Sequence, residues 1–104
     1  MYKVTRQDVR PNLDVSFVTP ELIDMPAVAR LHLITVHQDK FVNISSENSS
    51  DGLTQTTTII FSSKDAYLEF MQDPEVTTHL VDTQKHYNDT NGIVRTWLSA
   101  EEIL

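Results

Sequence analysis

The side chains best able to do chemistry in this sequence are its four histidines and the carboxylates near them. Four such residues follow helical spacing, at i, i+4, i+7 and i+11: Glu75, His79, Asp82 and His86. A regular helix places them on one side, where an imidazole and a carboxylate one turn apart can chelate a metal ion. Glu75 and His86 are nevertheless about 16 Å apart along the axis, because a helix rises ~1.5 Å per residue. At most two of the four can share an ion, so we expect a solvent-facing row and no metal site.

Two further histidines, His32 and His37, lie in an earlier segment with helical character. His32 borders the predicted core stripe of that helix, and His37 lies at the opposite edge. A histidine in a cleft between a helix and a sheet can act as a base, so His32 and His79 are the catalytic candidates. The competing interpretation of His32 is a boundary histidine held by a hydrogen bond. We favour it, because the sequence alone places no carboxylate partner beside this residue.

The composition excludes several classes of chemistry. The chain has no cysteine, which rules out thiol catalysis and a disulfide framework. Its two glycines, Gly52 and Gly92, lie in predicted turns, so there is no glycine-rich phosphate loop. A formal net charge of -7 repels phosphates and disfavours nucleic acid and anionic membranes as partners. No stretch can span a bilayer, so we expect a cytoplasmic protein, and we predict no cofactor.

The first half of the chain predicts a strand, a helix and a second strand. Residues 2–9 alternate as a strand, and residues 24–38 form a helix with Asp24 as its N-cap. The other candidate start of this helix is Thr19-Pro20-Glu21, with Thr19 as N-cap and Pro20 at the first helical position. The expected core stripe of the helix is Met25, Ala29, Leu33 and Val36. Residues 31–36 also alternate and are rich in β-branched side chains, so a strand there is the main alternative. Residues 41–48 form the next strand, ending in a turn at residues 49–52.

The second half predicts a strand, two helical pieces and a final strand. Residues 53–61 form a strand, and Ser62 or Ser63 caps a helix over residues 64–71. A second helix starts at Asp73-Pro74 and ends at residues 88–92, with a core stripe of Val76, Leu80, Thr83 and Tyr87. Residues 93–98 form the last strand, and residues 99–104 a short tail. The order β-α-β-β-α-β predicts one α+β domain over residues 1–104, a ferredoxin-like plait with an antiparallel four-stranded sheet.

The strand that ends in Ile59-Ile60-Phe61 is apolar on both faces. A strand with one wet face alternates apolar and polar residues, so this strand requires cover on both sides. One helical layer covers one face of a sheet. In a chain of 104 residues, a second copy of the chain is the plausible cover for the other, and we expect a homodimer.

The stretch from Thr58 to Pro74 (TIIFSSKDAYLEFMQDP) resembles the third strand and second helix of the dimeric α+β barrel superfamily. Its members include antibiotic-biosynthesis-type and haem-degrading monooxygenases and many small proteins of other roles. The resemblance covers residues 41–98 and implies a homodimer whose two sheets face each other as a closed barrel. Haem-degrading relatives use an Asn, a Trp and a His that cannot all be placed on matching positions here.

The expected function is non-catalytic, either small-molecule binding or association with other copies. The residues expected to line a pocket or the dimer interface are Tyr2, Phe17, Ile60, Phe61 and Trp97. The expected partners are a second copy of the chain and a small apolar ligand. The alternative, implied by the resemblance, is a cofactor-independent or haem-linked monooxygenase acting on a hydrophobic aromatic substrate.

Overall fold

A layer of helices covers one face of a four-stranded antiparallel sheet in the computed structural model, which describes residues 1–19, 22–23 and 25–103. The strands lie in the order β2-β3-β1-β4. Their bounds are β1 Tyr2–Val9, β2 Phe41–Asn48, β3 Thr54–Phe61 and β4 Val94–Glu102. The predicted ferredoxin-like plait is confirmed.

The helical layer contains two shorter helices and one long one. The first helix, α1, spans Ala27–His37 and continues as a 3₁₀ turn over Gln38–Lys40, and α2 spans Lys64–Gln72. The long helix runs through α3 (Pro74–Val76), a π-helical segment (Thr77–Asp82) and α4 (Thr83–Asn91). We call these three segments together the C-terminal helix. No helix in the described part of the chain has the length and apolar character needed to cross a membrane.

The junction between α2 and the C-terminal helix is fixed by its capping residues. The Ser63 hydroxyl accepts a hydrogen bond from the Ala66 amide at 3.0 Å, which caps α2. The Asp73 carboxylate accepts one from the Glu75 amide at 3.0 Å, with Pro74 at the first helical position. Both starts agree with the prediction.

The core is aromatic and lies between the sheet and the helices. Its buried members are Tyr2, Val4, Phe61, Phe70 and Val76. The rings of Phe61 and Phe70 lie 5.6 Å apart, so α2 packs directly on β3. Val76, the first core residue of the C-terminal helix, is fully buried.

The opposite face of the sheet is not covered by the helices. Ile59 packs against the core, whereas Ile60, the next residue along β3, points the other way. Successive residues of β1 alternate in the same way, since Val4 lies in the core and Thr5 points away from it. The helices therefore cover only one face of β3, the strand whose apolar end was predicted to need cover on both faces.

Three features of helix α1 bear on its prediction. Residues 31–36 are helical, so the alternative strand is wrong. The predicted N-cap, Asp24, lies outside the described residues, as do Pro20 and Glu21. The core stripe continues from Ala29 through Leu33 to His37, which is 3% exposed, while Val36 is 42% exposed. The reason lies in the tertiary partners of His37, whose ring hydrogen-bonds to Asp73 and packs edge-on against Phe70.

The C-terminal helix ends within its predicted range, and the last strand is longer than predicted. The C-terminal helix continues through Asn91 and ends at Gly92, whose φ of +72° is the left-handed conformation that glycine accepts most readily. Residues 99–102 belong to β4 instead of forming a tail. They are held there because the beginning of β1 needs an antiparallel partner, and Tyr2 pairs with Glu102.

Candidate ligand cavity

A cavity of about 730 Å³ lies between the helical layer and the sheet. Pockets for small molecules are usually ~300–1,000 Å³ and mostly apolar, so its size suits a ligand. Its apolar lining includes Phe41, Ile59, Phe61, Phe70, Val76 and Leu80. Ile44 and Trp97 also line it while remaining more than half exposed, which places the mouth of the cavity beside them.

One end of the cavity is charged. The Arg95 guanidinium donates from Nε to Asp8 Oδ1 at 2.7 Å and from Nη2 to Asp8 Oδ2 at 3.1 Å. Its Nη1 donates to Gln84 Oε1 at 2.8 Å, so the ion pair joins β1, β4 and α4. Such two-pronged pairs are the strongest and most directional that side chains form. The Asp8 carboxylate is almost completely buried and is already engaged by Arg95.

A second arginine, Arg6, lies at the same end with an incomplete set of partners. Its Nε is 4.0 Å from Asp8 Oδ2, too far for a hydrogen bond, and it is buried without an acceptor among the described residues. Burial, with the nearby Arg95 charge, lowers the pKa of Arg6 to about 10, although Asp8 opposes the shift. Arg6 therefore remains charged at neutral pH, and this trio of two arginines and one aspartate carries a net positive charge.

Two neutral polar groups also face the cavity. The Asn88 side-chain oxygen is buried and has no hydrogen-bond partner among the residues that the structure describes. Burial, followed by the nearby Tyr2, raises the pKa of Tyr67, so its hydroxyl stays protonated at neutral pH. A buried polar atom without a partner, such as this Asn88 oxygen, is uncommon in folded proteins.

A β-bulge sets which residues of β4 oppose the arginine end. Thr5 pairs with Ser99, but the next residue, Arg6, pairs with Trp97, so Leu98 is left over. If the pairing that joins Thr5 to Ser99 continued without a bulge, Arg6 would oppose Leu98. The bulge therefore places Trp97 beside Arg6, with the Arg6 guanidinium carbon 5.9 Å from the centre of the Trp97 ring. Bulges often redirect side chains next to functional sites.

The π-helical segment shapes the opposite wall. Leu80 and Val81 lie within it, and both line the cavity. A π-helix forms its hydrogen bonds between residues five apart, whereas an α-helix forms them between residues four apart, so each turn holds more residues. Such segments often mark functional sites. It also changes the spacing on which the row of Glu75, His79, Asp82 and His86 was predicted.

The histidines predicted as candidates lie away from the cavity lining. His32 and His37 both approach Asp73 Oδ2, with Nε2–Oδ2 distances of 2.7 and 2.6 Å. His79 Nε2 is 3.3 Å from a Glu75 carboxylate oxygen, one turn earlier on the C-terminal helix. Among the described residues that line the cavity, none is a histidine.

The predicted aromatic and apolar residues are distributed over several environments. Phe61 and Trp97 line the cavity. Tyr2 is buried in the core, 5.1 Å from the ring of Tyr67, and Ile60 lies on the uncovered face of the sheet. Phe17 lies in the irregular segment after β1, with the Arg10 guanidinium 4.6 Å above its ring. Only two of the five therefore meet at the cavity.

The charged end of the cavity was not predicted from the sequence. A pattern that indicates it is nevertheless present, because Arg6 and Asp8 follow Tyr2 and Val4 at the inward positions of an alternating strand. Charged residues rarely occupy such positions unless they are paired or bind something.

Comparison with known proteins gives the fold. A candidate antibiotic biosynthesis monooxygenase from Deinococcus radiodurans is similar to this chain with a TM-score of 0.54 and 13% identity, covering 100% of this chain and 96% of its own. This chain therefore has a ferredoxin-like fold. A solved structure from Mycobacterium tuberculosis is similar to this chain with a TM-score of 0.48 and 16% identity, covering 99% of this chain and 98% of its own. No protein-family model matches the sequence, and no curated protein matches it. The resemblance noted at residues 58–74 is confirmed at the level of the chain's fold.

Proposed function

We propose that this protein binds a small molecule that has an apolar, aromatic body and one anionic oxygen-bearing group. The observation that carries the proposal is Arg6, a largely buried arginine that lines the end of the apolar cavity and whose Nε has no acceptor among the described residues. Leaving a buried charged donor unpaired costs free energy, and a ligand carboxylate, phenolate or sulfonate would supply the missing acceptor.

The charge distribution supports an anionic ligand. The protein as a whole carries a formal net charge of -7, so its surface repels anions in general. The trio of Arg6, Arg95 and Asp8 is locally positive inside a mostly apolar site. An anion therefore gains more from entering this cavity than from contact with the rest of the protein. The aromatic lining, including Trp97 at the mouth, suits a flat ligand body.

Two fluorescent probes of related structure test the proposal. Anilinonaphthalene sulfonate has an aromatic body and an anionic group, whereas phenylnaphthylamine has a similar body without the charge. We expect both to bind and to quench Trp97, the only tryptophan. A hydrogen bond to a charged group contributes ~1.5–3 kcal/mol, so Arg6→Met should weaken binding of the sulfonate about tenfold or more and leave the neutral probe nearly unchanged.

A matched control separates this result from a general loss of positive charge. Lys64→Met removes a cation from the exposed start of α2, outside the cavity, and should leave both affinities unchanged. Equal weakening of both probes by Arg6→Met would mean that the arginine supports the fold and does not recognise an anion. Circular dichroism of each variant measures whether the substitution has disturbed the fold.

We propose further that the protein is a homodimer joined through the uncovered face of the sheet. The support is Ile60, an apolar residue on that face of the inner strand β3, where the β-branched Thr56 and Thr58 precede it on the same face. Light scattering on a sizing column measures the mass. Ile60→Asp should produce monomers, because burying an unpaired charge is costly. Leu31→Asp, on the exposed side of α1, should not. Dissociation by Leu31→Asp alone would place the interface on the helices.

A cofactor-independent oxygenase that uses the same cavity is the second candidate. The specific observation in its favour is the protonated Tyr67 hydroxyl facing an aromatic-lined volume, where it can donate to an oxygen that gains negative charge. The name of the Deinococcus structure motivates the assay. Oxygen consumption with phenolic compounds that bind the cavity, abolished in Tyr67→Phe, would support turnover. Binding of these compounds without oxygen consumption would support small-molecule binding and contradict the oxygenase.

A further inference from the structure

We propose that His32, His37 and Asp73 form a binding site for a divalent transition-metal ion, and that Zn²⁺ is the ion best suited to it. The site lies where the end of α1 meets the start of the C-terminal helix, and its three ligands do not line the ligand cavity. It is independent of the proposed function, because it uses none of the same side chains.

The three ligand atoms already converge. The two histidine Nε2 atoms and the Asp73 carboxylate oxygen all lie within 4.8 Å of one another. Zinc binds histidine nitrogen and carboxylate oxygen at ~2.0–2.2 Å, which places the ligands of a tetrahedral ion about 3.3 Å apart. The observed Nε2–Oδ2 distances of 2.7 and 2.6 Å are shorter than that. Inserting an ion therefore requires each imidazole Nε2 to move away from Asp73 Oδ2 by less than about 1 Å.

The carboxylate is held in place for this role. Asp73 Oδ1 caps the C-terminal helix by accepting from the Glu75 amide, which leaves Oδ2 directed at the two imidazoles. Hydrogen bonds from His32 and then His37 hold the pKa of Asp73 well below its usual range. The carboxylate is consequently ionised at neutral pH, and with neutral imidazoles the cluster has a charge of −1. A negatively charged set of N, N and O ligands suits a dication.

Binding of an ion through Nε2 requires both histidines to be in the tautomer protonated at Nδ1. In the hydrogen-bonded arrangement each Nε2 carries a proton, whereas a ligating Nε2 must be unprotonated and Nδ1 protonated. The Nδ1 atom of His37 is buried and has no hydrogen-bond partner in the described chain. Moving the proton to Nδ1 therefore replaces an unpaired buried acceptor by an unpaired buried donor, and the bonds to the ion replace the two hydrogen bonds to Asp73.

The site is rigid on one side and accessible on the other. His37 is 3% exposed, and its ring packs edge-on against Phe70 at 5.2 Å, so its orientation is fixed. The His32 side chain is 36% exposed, which gives an ion a route from solvent. Three protein ligands and an open side correspond to zinc sites that complete their coordination with water.

Calorimetric titration of the tag-free protein with Zn²⁺ tests the proposal. We expect one ion per chain with sub-micromolar affinity. His32→Gln should lower the affinity at least about tenfold, since even partners of the ligands change metal affinity by ~10–100-fold. Asp73→Asn should do the same while its amide oxygen still caps the helix. His86→Gln, an exposed histidine elsewhere on the C-terminal helix, is the matched control and should bind like the wild type.

Spectroscopy with Co²⁺ provides a second readout that does not depend on stability. Visible absorption of intensity typical of a four-coordinate site should appear in the wild type and in His86→Gln, and disappear in His32→Gln. Wild-type protein that binds no Zn²⁺ would overturn the proposal, as would affinity that is equal in His32→Gln and wild type. The cluster would then be only a hydrogen-bonded link between two helices.

Discussion

Asp8→Asn should strongly destabilise the fold, because Asp8 is the one carboxylate paired with two arginines at the end of the cavity. The side chain is 2% exposed and accepts two hydrogen bonds from Arg95. Asparagine has nearly the same size, so the substitution removes charge without making a void. It leaves two guanidinium groups side by side with no counter-charge and only one acceptor atom.

The expected cost is about 3 kcal/mol of unfolding free energy. Removing one partner of a buried ion pair typically costs ~3–5 kcal/mol, because the other charge is left unpaired. The side chains of Arg95 and Arg6 are 14% and 20% exposed and border an open cavity, so solvent screens part of the repulsion. This argues for the lower end of the range.

Urea unfolding at fixed protein concentration, followed by circular dichroism, measures this cost. A double-mutant cycle with Arg95→Met isolates the pair, and the doubly substituted protein should be less destabilised than the sum by at least ~1.5 kcal/mol. Asp82→Asn, an exposed aspartate on the C-terminal helix, should change stability by no more than ~0.5 kcal/mol. A cost below 1 kcal/mol for Asp8→Asn, or a coupling energy near zero, would refute the claim that this pair is structurally important.

Two further predictions concern the core and the helix junction. Val76→Ala, at a fully buried position, should cost about 2 kcal/mol, whereas Val28→Ala, at an 81% exposed position, should cost almost nothing; urea midpoints compare them. Asp73→Asn should destabilise the protein most near neutral pH. Because the folded-state pKa of Asp73 is depressed, its contribution is present above the unfolded value of ~3.9 and is lost as pH falls further. Stability curves of the two proteins should therefore converge below about pH 4, and a constant difference down to pH 2 would contradict the assignment.

Sequence reasoning succeeded where local chemistry determines structure. The bounds of β1 and β2 were predicted because breakers follow β1 and a turn ending in Asp51-Gly52 follows β2. The start of the C-terminal helix was predicted because Asp73 is a good N-cap and Pro74 suits the first helical position. Each of these features depends on a few neighbouring residues.

The features that sequence reasoning missed depend on distant partners. Residues 99–102 have no strong strand pattern and are extended because β1 lies beside them. The buried state of His37 depends on Asp73, which is 36 residues away in the chain. The π-helical segment and the bulge at Leu98 each add one residue to an otherwise regular element, and a periodic pattern does not reveal where that residue falls.

The surplus residue at Leu98 has a consequence for how this chain should be aligned with proteins of the same fold. Before it, odd-numbered residues of β4, such as Arg95 and Trp97, face the helices; after it, even-numbered residues such as Ala100 do so. A relative with an unbroken last strand would match the two halves of β4 only if a one-residue gap were placed at this point. An ungapped comparison through position 98 would equate cavity residues with residues of the opposite face, and would hide a shared site even where one exists.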